Sequence, residues 1–266
     1  MTPDELAQVG LRFEVDGPVA TLTLDRPERR NAQTPAMWRA MARLGAEVPD
    51  EVRVVVVRGA GVCFSAGLDR TMLDPARSAA DGGGDETVVG LLAQDDEAIV
   101  RTIGDYQQGF LWLRDPRFVS VAAVHGHAIG AGFQLALSCD LRVVAADAQF
   151  SMREAALGLV PDLTGTKPLV EAVGYARALE LCTTARTFGA EQAAAYGLTT
   201  VDCAADGLDA ALEELVGALT APMAGAVRAT KQVVQQASAN DLATQCLVER
   251  TAQVGRFREL AALAGA

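Results

Sequence analysis

The sequence predicts an α/β fold with a helical C-terminal segment, and three observations carry that expectation. Residues 52–58 (VRVVVVR) and 119–124 (VSVAAV) are dominated by β-branched and small residues without strict alternation, the pattern of strands buried on both faces. Between and around them stand stretches with helical spacing. Beyond Lys167 the chain reads as almost wholly helical. A β/α part followed by an all-helical part implies an α/β core, assigned to residues 1–195, and a helical segment over 196–266.

The elements follow in order. Residues 11–15 and 19–24 flank Asp16-Gly17-Pro18, a turn signal, and predict a β-hairpin. Asp25-Arg26-Pro27 stops the second strand. Thr34 followed by Pro35 reads as an N-cap with proline at the first helical position, opening a helix to about residue 48. After the 52–58 strand comes a loop, GAGVCFSAGLD (59–69). Residues 71–87 hold Pro75 and the run Gly82-Gly83-Gly84, which predicts a mobile segment. Residues 88–113 read as one helix and 141–145 as a strand. Residues 149–166 are read as irregular. Phe188-Gly189-Ala190 and Gly197-Leu198 mark breaks, a short strand falls near 199–203, and helices occupy roughly 206–219, 223–237 and 241–263.

Composition narrows the function classes. The net charge of −11 disfavours general binding to nucleic acid or to an anionic membrane. Of 23 basic residues only Lys167 and Lys231 are lysines, so a local anion-binding patch would be built from arginine. The five scattered cysteines form no CxxC, which suggests reduced thiols and a cytoplasmic protein. The N-terminus shows no basic or apolar leader pattern, and no apolar run reaches the roughly 18 residues of a membrane span.

The stretch 121–140 (VAAVHGHAIGAGFQLALSCD) reads as a strand, a glycine-containing turn and a helix. Gly126, Gly130 and Gly132 bracket the change. Glycine there lets backbone N–H groups approach a ligand, and a helix starting near Ala131 adds unpaired donors and the positive end of its dipole. Negative charge, permanent or transient, suits such a place. The spacing fits neither a dinucleotide fingerprint nor a P-loop. A close-packed turn without a ligand is the alternative reading.

FSAGLD (64–69) after a buried strand and AAVHGHAIGAGFQLALSCDLRVVA (122–145), with DRPERRNA (25–32) upstream and ARTFGAEQAAAYGL (185–198) downstream, together resemble the crotonase superfamily of enoyl-CoA hydratases and isomerases. The resemblance covers nearly the whole chain. It implies a spiral of ββα units, helices that mediate assembly into a homotrimer or a dimer of trimers, and an acyl-CoA thioester as substrate. CoA enters as part of that substrate, with no separate cofactor and no metal. By motif position the thioester oxygen would lie between the backbone N–H groups of Leu68 and Ala131. Two oriented donors in a dry pocket stabilise the enolate-like charge that forms there.

The same resemblance places acid–base groups and exposes a departure. Related hydratases use two glutamates. The first falls here on Gln134 and the second on Glu154. Gln134 can orient a water but cannot exchange a proton at neutral pH. Asp162, eight residues after Glu154, matches an acidic residue that some isomerases of the superfamily use to move a proton along the acyl chain. A turn residue after Pro161 is the plainer reading of Asp162, and a surface or interface charge that of Glu154. Isomerase-like proton transfer therefore fits this set better than two-glutamate hydration, and an acyl-CoA-binding member without catalysis is the alternative. Arg26, Arg29, Arg30 and Arg70, with Ala66, Gly67 and Asp69, frame the expected CoA site; guanidinium suits its phosphates, although solvated surface arginines read equally well. Lys231 is a weaker candidate for the same role. His125 and His127 straddle Gly126 and read as structural, and Ser65 and Ser138 lack a base partner. The segment from Leu68 to Ala131 is longer than in short hydratases, with the surplus within 71–108, beside the expected acyl pocket.

Overall fold

The computed structural model describes residues 1–73 and 87–265. Most of the 71–87 segment, including Gly82–84, lies outside the described residues. A short helix α1 (Pro3–Gln8) precedes the hairpin β1 (Leu11–Asp16) and β2 (Val19–Leu24). Helix α2 (Pro35–Glu47) starts at Thr34, whose side chain accepts from the Met37 amide, as the sequence predicts. Strand β3 (Val54–Gly59) follows. The helix expected over 88–113 is two helices, α3 (Val88–Leu92) and α4 (Asp96–Leu111). The break falls at Asp95, whose carboxylate accepts from the Ala98 amide at 2.8 Å and opens the second helix.

Strand β4 (Val119–Val124) leads through a turn into β5 (His127–Ile129), then helix α5 (Ala131–Ser138), β6 (Leu141–Ala145) and β7 (Gln149–Ser151). The short strands β5 and β7 are not apparent in the sequence. They form because the Gln149 amide donates to Gly126 O at 2.6 Å and sets a parallel register, His127 opposite Gln149. Then come α6 (Thr166–Val173), α7 (Tyr175–Thr184), β8 (Phe188–Gly189), α8 (Ala190–Ala195), β9 (Val201–Cys203), α9 (Leu208–Thr220), α10 (Ala224–Ala237) and α11 (Leu242–Ala264).

The large sheet runs β1-β2-β3-β4-β6-β9, antiparallel only at the β1/β2 hairpin and parallel elsewhere. A small sheet, β5-β7-β8, stands beside it. The inner strands β3 and β4 are buried on both faces, which is why they lack alternation, whereas the edge strand β1 is largely exposed. Val55, Val57, Ala122 and Val124 join the main core with α2, α4 and α5; Val54, Val56, Val121 and Ala123 face the other way, under Leu208 and Leu212 of α9. The segment 196–266 thus supplies both an edge strand of the large sheet and the helix that covers its second face. Phe133, Phe150 and Phe188 pack ring against ring, with centroids 5.3–5.8 Å apart, and bind α5 to the small sheet. Helices α10 and α11 contain no buried residue, and Leu242, Leu247, Phe257 and Leu263 of α11 are exposed. Among the described residues no single helix is long and apolar enough to cross a membrane.

Candidate active site

The loop after β3 and the turn after β5 come together. The Ser65 amide donates to His127 O at 2.7 Å and the Ile129 amide to Ser65 O at 3.0 Å. Gly67, at φ +90°, lies so close to the turn that a Cβ there would meet Ile129 O at 2.4 Å and the Ala131 nitrogen at 3.5 Å. Only glycine holds this conformation and this approach.

The two backbone amides are aimed by their own peptide planes. Gly67 O accepts from the Gln33 amide at 2.7 Å. A trans peptide points its N–H opposite its C=O, so the Leu68 N–H faces away from Gln33. Gly130 O accepts from the Gln134 amide at 2.9 Å, inside α5, so the Ala131 N–H points out of the helix start. Among the described residues neither amide donates to a protein acceptor. These are the two donors that the sequence motifs single out.

Glu154 opens a short 3₁₀ turn after β7, and Gly130 at φ +51° leaves room for its carboxylate: a Cβ at 130 would lie 3.2 Å from Glu154 Oε1. The acid is 8 % exposed. Oε1 accepts from Gln134 Nε2 at 2.7 Å, whereas Oε2 is buried with no partner among the described residues. Burial pushes the Glu154 pKa above the ordinary carboxylate range, and the charge of Asp162 pushes the same way; its own backbone amide and the Gln134 amide oppose them. Asp162 is likewise raised by burial, against its own backbone amide. The charge of Asp162 thus bears on Glu154.

Gln134 is 1 % exposed and its amide is fully oriented. Its Oε1 accepts from the Leu163 amide at 2.9 Å and the Gly165 amide at 3.2 Å, which forces the NH₂ toward Glu154. Gln134 thus ties the Asp162–Gly165 turn to the Glu154 turn. The carbonyl that the sequence offered for orienting a water is taken by these two amides.

The remaining candidates divide. Arg29, Arg30 and Arg70 are exposed. The Ala66 amide donates to Arg30 O at 2.9 Å and so seats one loop on the other. Asp69 is turned inward at 7 % exposure and accepts from Arg26 Nη2 at 3.0 Å and from Thr71 Oγ1 at 2.9 Å. Burial raises its pKa, but the Thr71 and Arg26 hydrogen bonds more than offset that and leave it below the ordinary value. Lys231 is far from free: its Nζ donates to Asp115 O, Phe118 O and Asp140 Oδ2, each at 2.7 Å. His125 Nε2 donates to Gly61 O at 3.0 Å, and His127 is exposed. Ser138 bonds Gln134 O and Thr164 Oγ1. Gln33 and Trp38, which the sequence reading passes over, lie directly behind the Leu68 amide. The signal for them is the pair of amide side chains Asn31 and Gln33, in NAQT, ahead of an apolar helix face.

Against this geometry stand the comparisons. The family model for enoyl-CoA hydratase/isomerase matches residues 14–262. The chain belongs to the enoyl-CoA hydratase/isomerase family, within the crotonase superfamily. Among solved structures, a Thermobifida fusca protein assigned as an enoyl-CoA hydratase, in complex with acetoacetyl-CoA, matches with a TM-score of 0.92 and 53 % identity over 97 % of this chain and 98 % of that one. A protein of Mycobacterium tuberculosis assigned as an enoyl-CoA hydratase is 35 % identical, covering 90 % of this chain and 87 % of its own length. The peroxisomal Δ(3,5)-Δ(2,4)-dienoyl-CoA isomerase of Arabidopsis thaliana is 32 % identical over 71 % of this chain and 67 % of its own. The family member therefore has relatives named for hydration and relatives named for isomerisation.

Proposed function

We propose that this enzyme binds an acyl-CoA thioester and moves a proton along an enoyl chain, converting a 3-enoyl-CoA into a 2-enoyl-CoA. The observation that carries the reading is the Glu154 carboxylate. It is buried beside the Gly130–Ala131 turn, one oxygen is held by Gln134, and the other has no partner among the described residues. A base so placed can reach the α-carbon of a thioester whose oxygen lies against the Leu68 and Ala131 amides. Glu154 Oε2 removes the α-proton. The electron pair moves into the Cα–C bond and the former Cβ–Cγ double bond shifts to Cα–Cβ as the γ-carbon takes a proton back. The net change moves one hydrogen and one double bond, with no water and no redox partner. The two amides stabilise the dienolate oxygen, a contribution that elsewhere amounts to about 2.7–4 kcal/mol per donor.

Asp162 serves as a second proton carrier farther along the chain, a reading supported by its burial and by the effect of its charge on Glu154. Gln134 disfavours water addition, since it has no free acceptor and no exchangeable proton at neutral pH. A relative bound to acetoacetyl-CoA and another named as a dienoyl-CoA isomerase support an acyl-CoA substrate. The test is a panel of 2-enoyl- and 3-enoyl-CoA esters. Conversion of 3-enoyl esters at a rate at least tenfold above hydration of 2-enoyl esters is expected, on the order of the loss of one general acid–base group. Binding of the esters with no turnover of any member would support a non-catalytic acyl-CoA-binding role instead.

A further inference from the structure

Gln33 is wholly buried beneath the 65–69 loop, yet every polar atom it has is used. Its amide donates to Gly67 O at 2.7 Å and its carbonyl accepts from the Asp69 amide at 2.8 Å. The residue between those two anchors is Leu68. The side chain continues the pattern: Trp38 Nε1 donates to Gln33 Oε1 at 2.8 Å, and Gln33 Nε2 donates to Ser65 Oγ at 3.1 Å. The Trp38 bond fixes which end of the amide is the donor.

Ser65 closes the network. Its hydroxyl donates to Asn31 O at 2.8 Å and accepts from the Gly67 amide at 3.2 Å as well as from Gln33. That uses one donor and two lone pairs, so the group is saturated. Ser65 is also pressed against the start of α5, where a Cβ on Gly132 would meet Ser65 O at 2.7 Å and Cβ at 2.8 Å. Its main chain holds β5 on both sides. One residue therefore touches the loop bearing Leu68 and the turn bearing Ala131. A saturated polar network in an otherwise apolar core rigidifies what it joins.

We infer that Gln33 and Ser65 are positioning residues that fix the aim of the Leu68 amide relative to the Ala131 amide, with Trp38 as the outer anchor. The inference rests on the reading of those two amides as the oxyanion donors. Neither side chain touches substrate. Their effect passes from Gln33 Nε2 through Ser65 Oγ to the Gly67 amide, and so to the Gly67–Leu68 peptide plane, whose carbonyl end rests on the Gln33 main-chain amide and whose N–H end is turned outward.

The test uses Gln33→Leu, which keeps bulk and removes the side-chain hydrogen bonds, and Gln33→Leu combined with Trp38→Phe, which leaves no indole donor stranded and protects the fold. A purely structural role would alter melting temperature alone. A positioning role lowers kcat for 3-enoyl-CoA by about 10- to 100-fold, the scale of a misplaced catalytic group, while KM stays within about threefold. It also weakens enolate formation by bound acetoacetyl-CoA, read from its ultraviolet enolate band as a function of pH: the midpoint rises by about one pH unit, or tenfold. Folded variants with unchanged kcat and an unchanged enolate midpoint overturn the inference, provided the wild type turns over 3-enoyl-CoA. Wild-type protein that neither turns over enoyl esters nor perturbs the enolate midpoint removes the oxyanion reading and this inference with it.

Discussion

Gln134→Glu replaces one NH₂ group by an oxygen and tests the site at its most sensitive contact. The oxygen that accepts from the Leu163 and Gly165 amides keeps both donors. The other oxygen now faces Glu154 Oε1 across the distance that Nε2 spans, 2.7 Å, with no hydrogen between them unless a proton binds. With carboxylate centres about 4 Å apart and an effective dielectric of about 20, two full charges repel by about 4 kcal/mol. The pair therefore holds one proton in the folded state more tightly than two separate carboxyls do in the unfolded chain. The sign follows from linkage. A raised folded pKa leaves stability intact below the unfolded value of about 4.3, and stability is lost as pH rises through the folded value. The variant is expected to melt close to the wild type near pH 5 and about 10 °C lower near pH 9, taking about 2–4 °C per kcal/mol for a chain of this size. The assay is thermal unfolding across that range, with hydration of a 2-enoyl-CoA measured in parallel. Hydration should appear, because the pair now offers an acceptor and an exchangeable proton. A melting difference independent of pH would refute the Gln134–Glu154 contact as the locus of the effect.

Two further predictions address neighbouring residues. Asp162→Asn lowers 3-enoyl to 2-enoyl conversion and, by removing a negative charge that raises Glu154, moves the acidic limb of the kcat/KM profile to lower pH; full conversion with an unmoved limb would confine Asp162 to its turn. Lys231→Met leaves Asp140 half-satisfied by Ser120 N and Oγ at 2.8 and 3.0 Å and is expected to cost about 3 kcal/mol in urea unfolding, while adding Asp140→Asn recovers part of that loss.

Much of this fold is legible in the sequence where one force dominates. Strands β4 and β6 fall at their expected bounds because short runs dominated by apolar residues, broken only by Ser120 and Arg142, suit a buried parallel sheet. The start of α2 is likewise fixed by Thr34 and Pro35. What the pattern does not reveal is short and tertiary. Strands β5, β7 and β8 have two or three residues each and exist through long-range bonds such as Gln149 N to Gly126 O. The break at Asp95 is a cap inside an otherwise helical stretch, where local hydrogen bonding outweighs periodicity.

At the site, motif order leads to Leu68, Ala131, Gln134, Glu154 and Asp162, and these gather around the turn at Gly130. Partners are a different matter. Lys231 looks like a free cation in sequence, yet three oxygens hold it in the interior. Asp69 looks like part of a ligand loop but braces Arg26. Gln33 carries no motif at all, and only the fold brings it behind Leu68. Charge and residue type can be read from a chain, but the direction in which a polar group points is decided by its hydrogen bonds.

The central claim is that Glu154 removes the α-proton of a thioester whose oxygen rests on the Leu68 and Ala131 amides. The direct measurement is solvent deuterium uptake at the α-carbon of bound 3-enoyl-CoA, followed by NMR for the wild type and for Glu154→Gln, with ester affinity measured on both. Wild-type protein should exchange the α-proton, and Glu154→Gln should lose that exchange by about 10²- to 10⁴-fold while binding the ester within about tenfold. Exchange at the wild-type rate in Glu154→Gln would contradict the account.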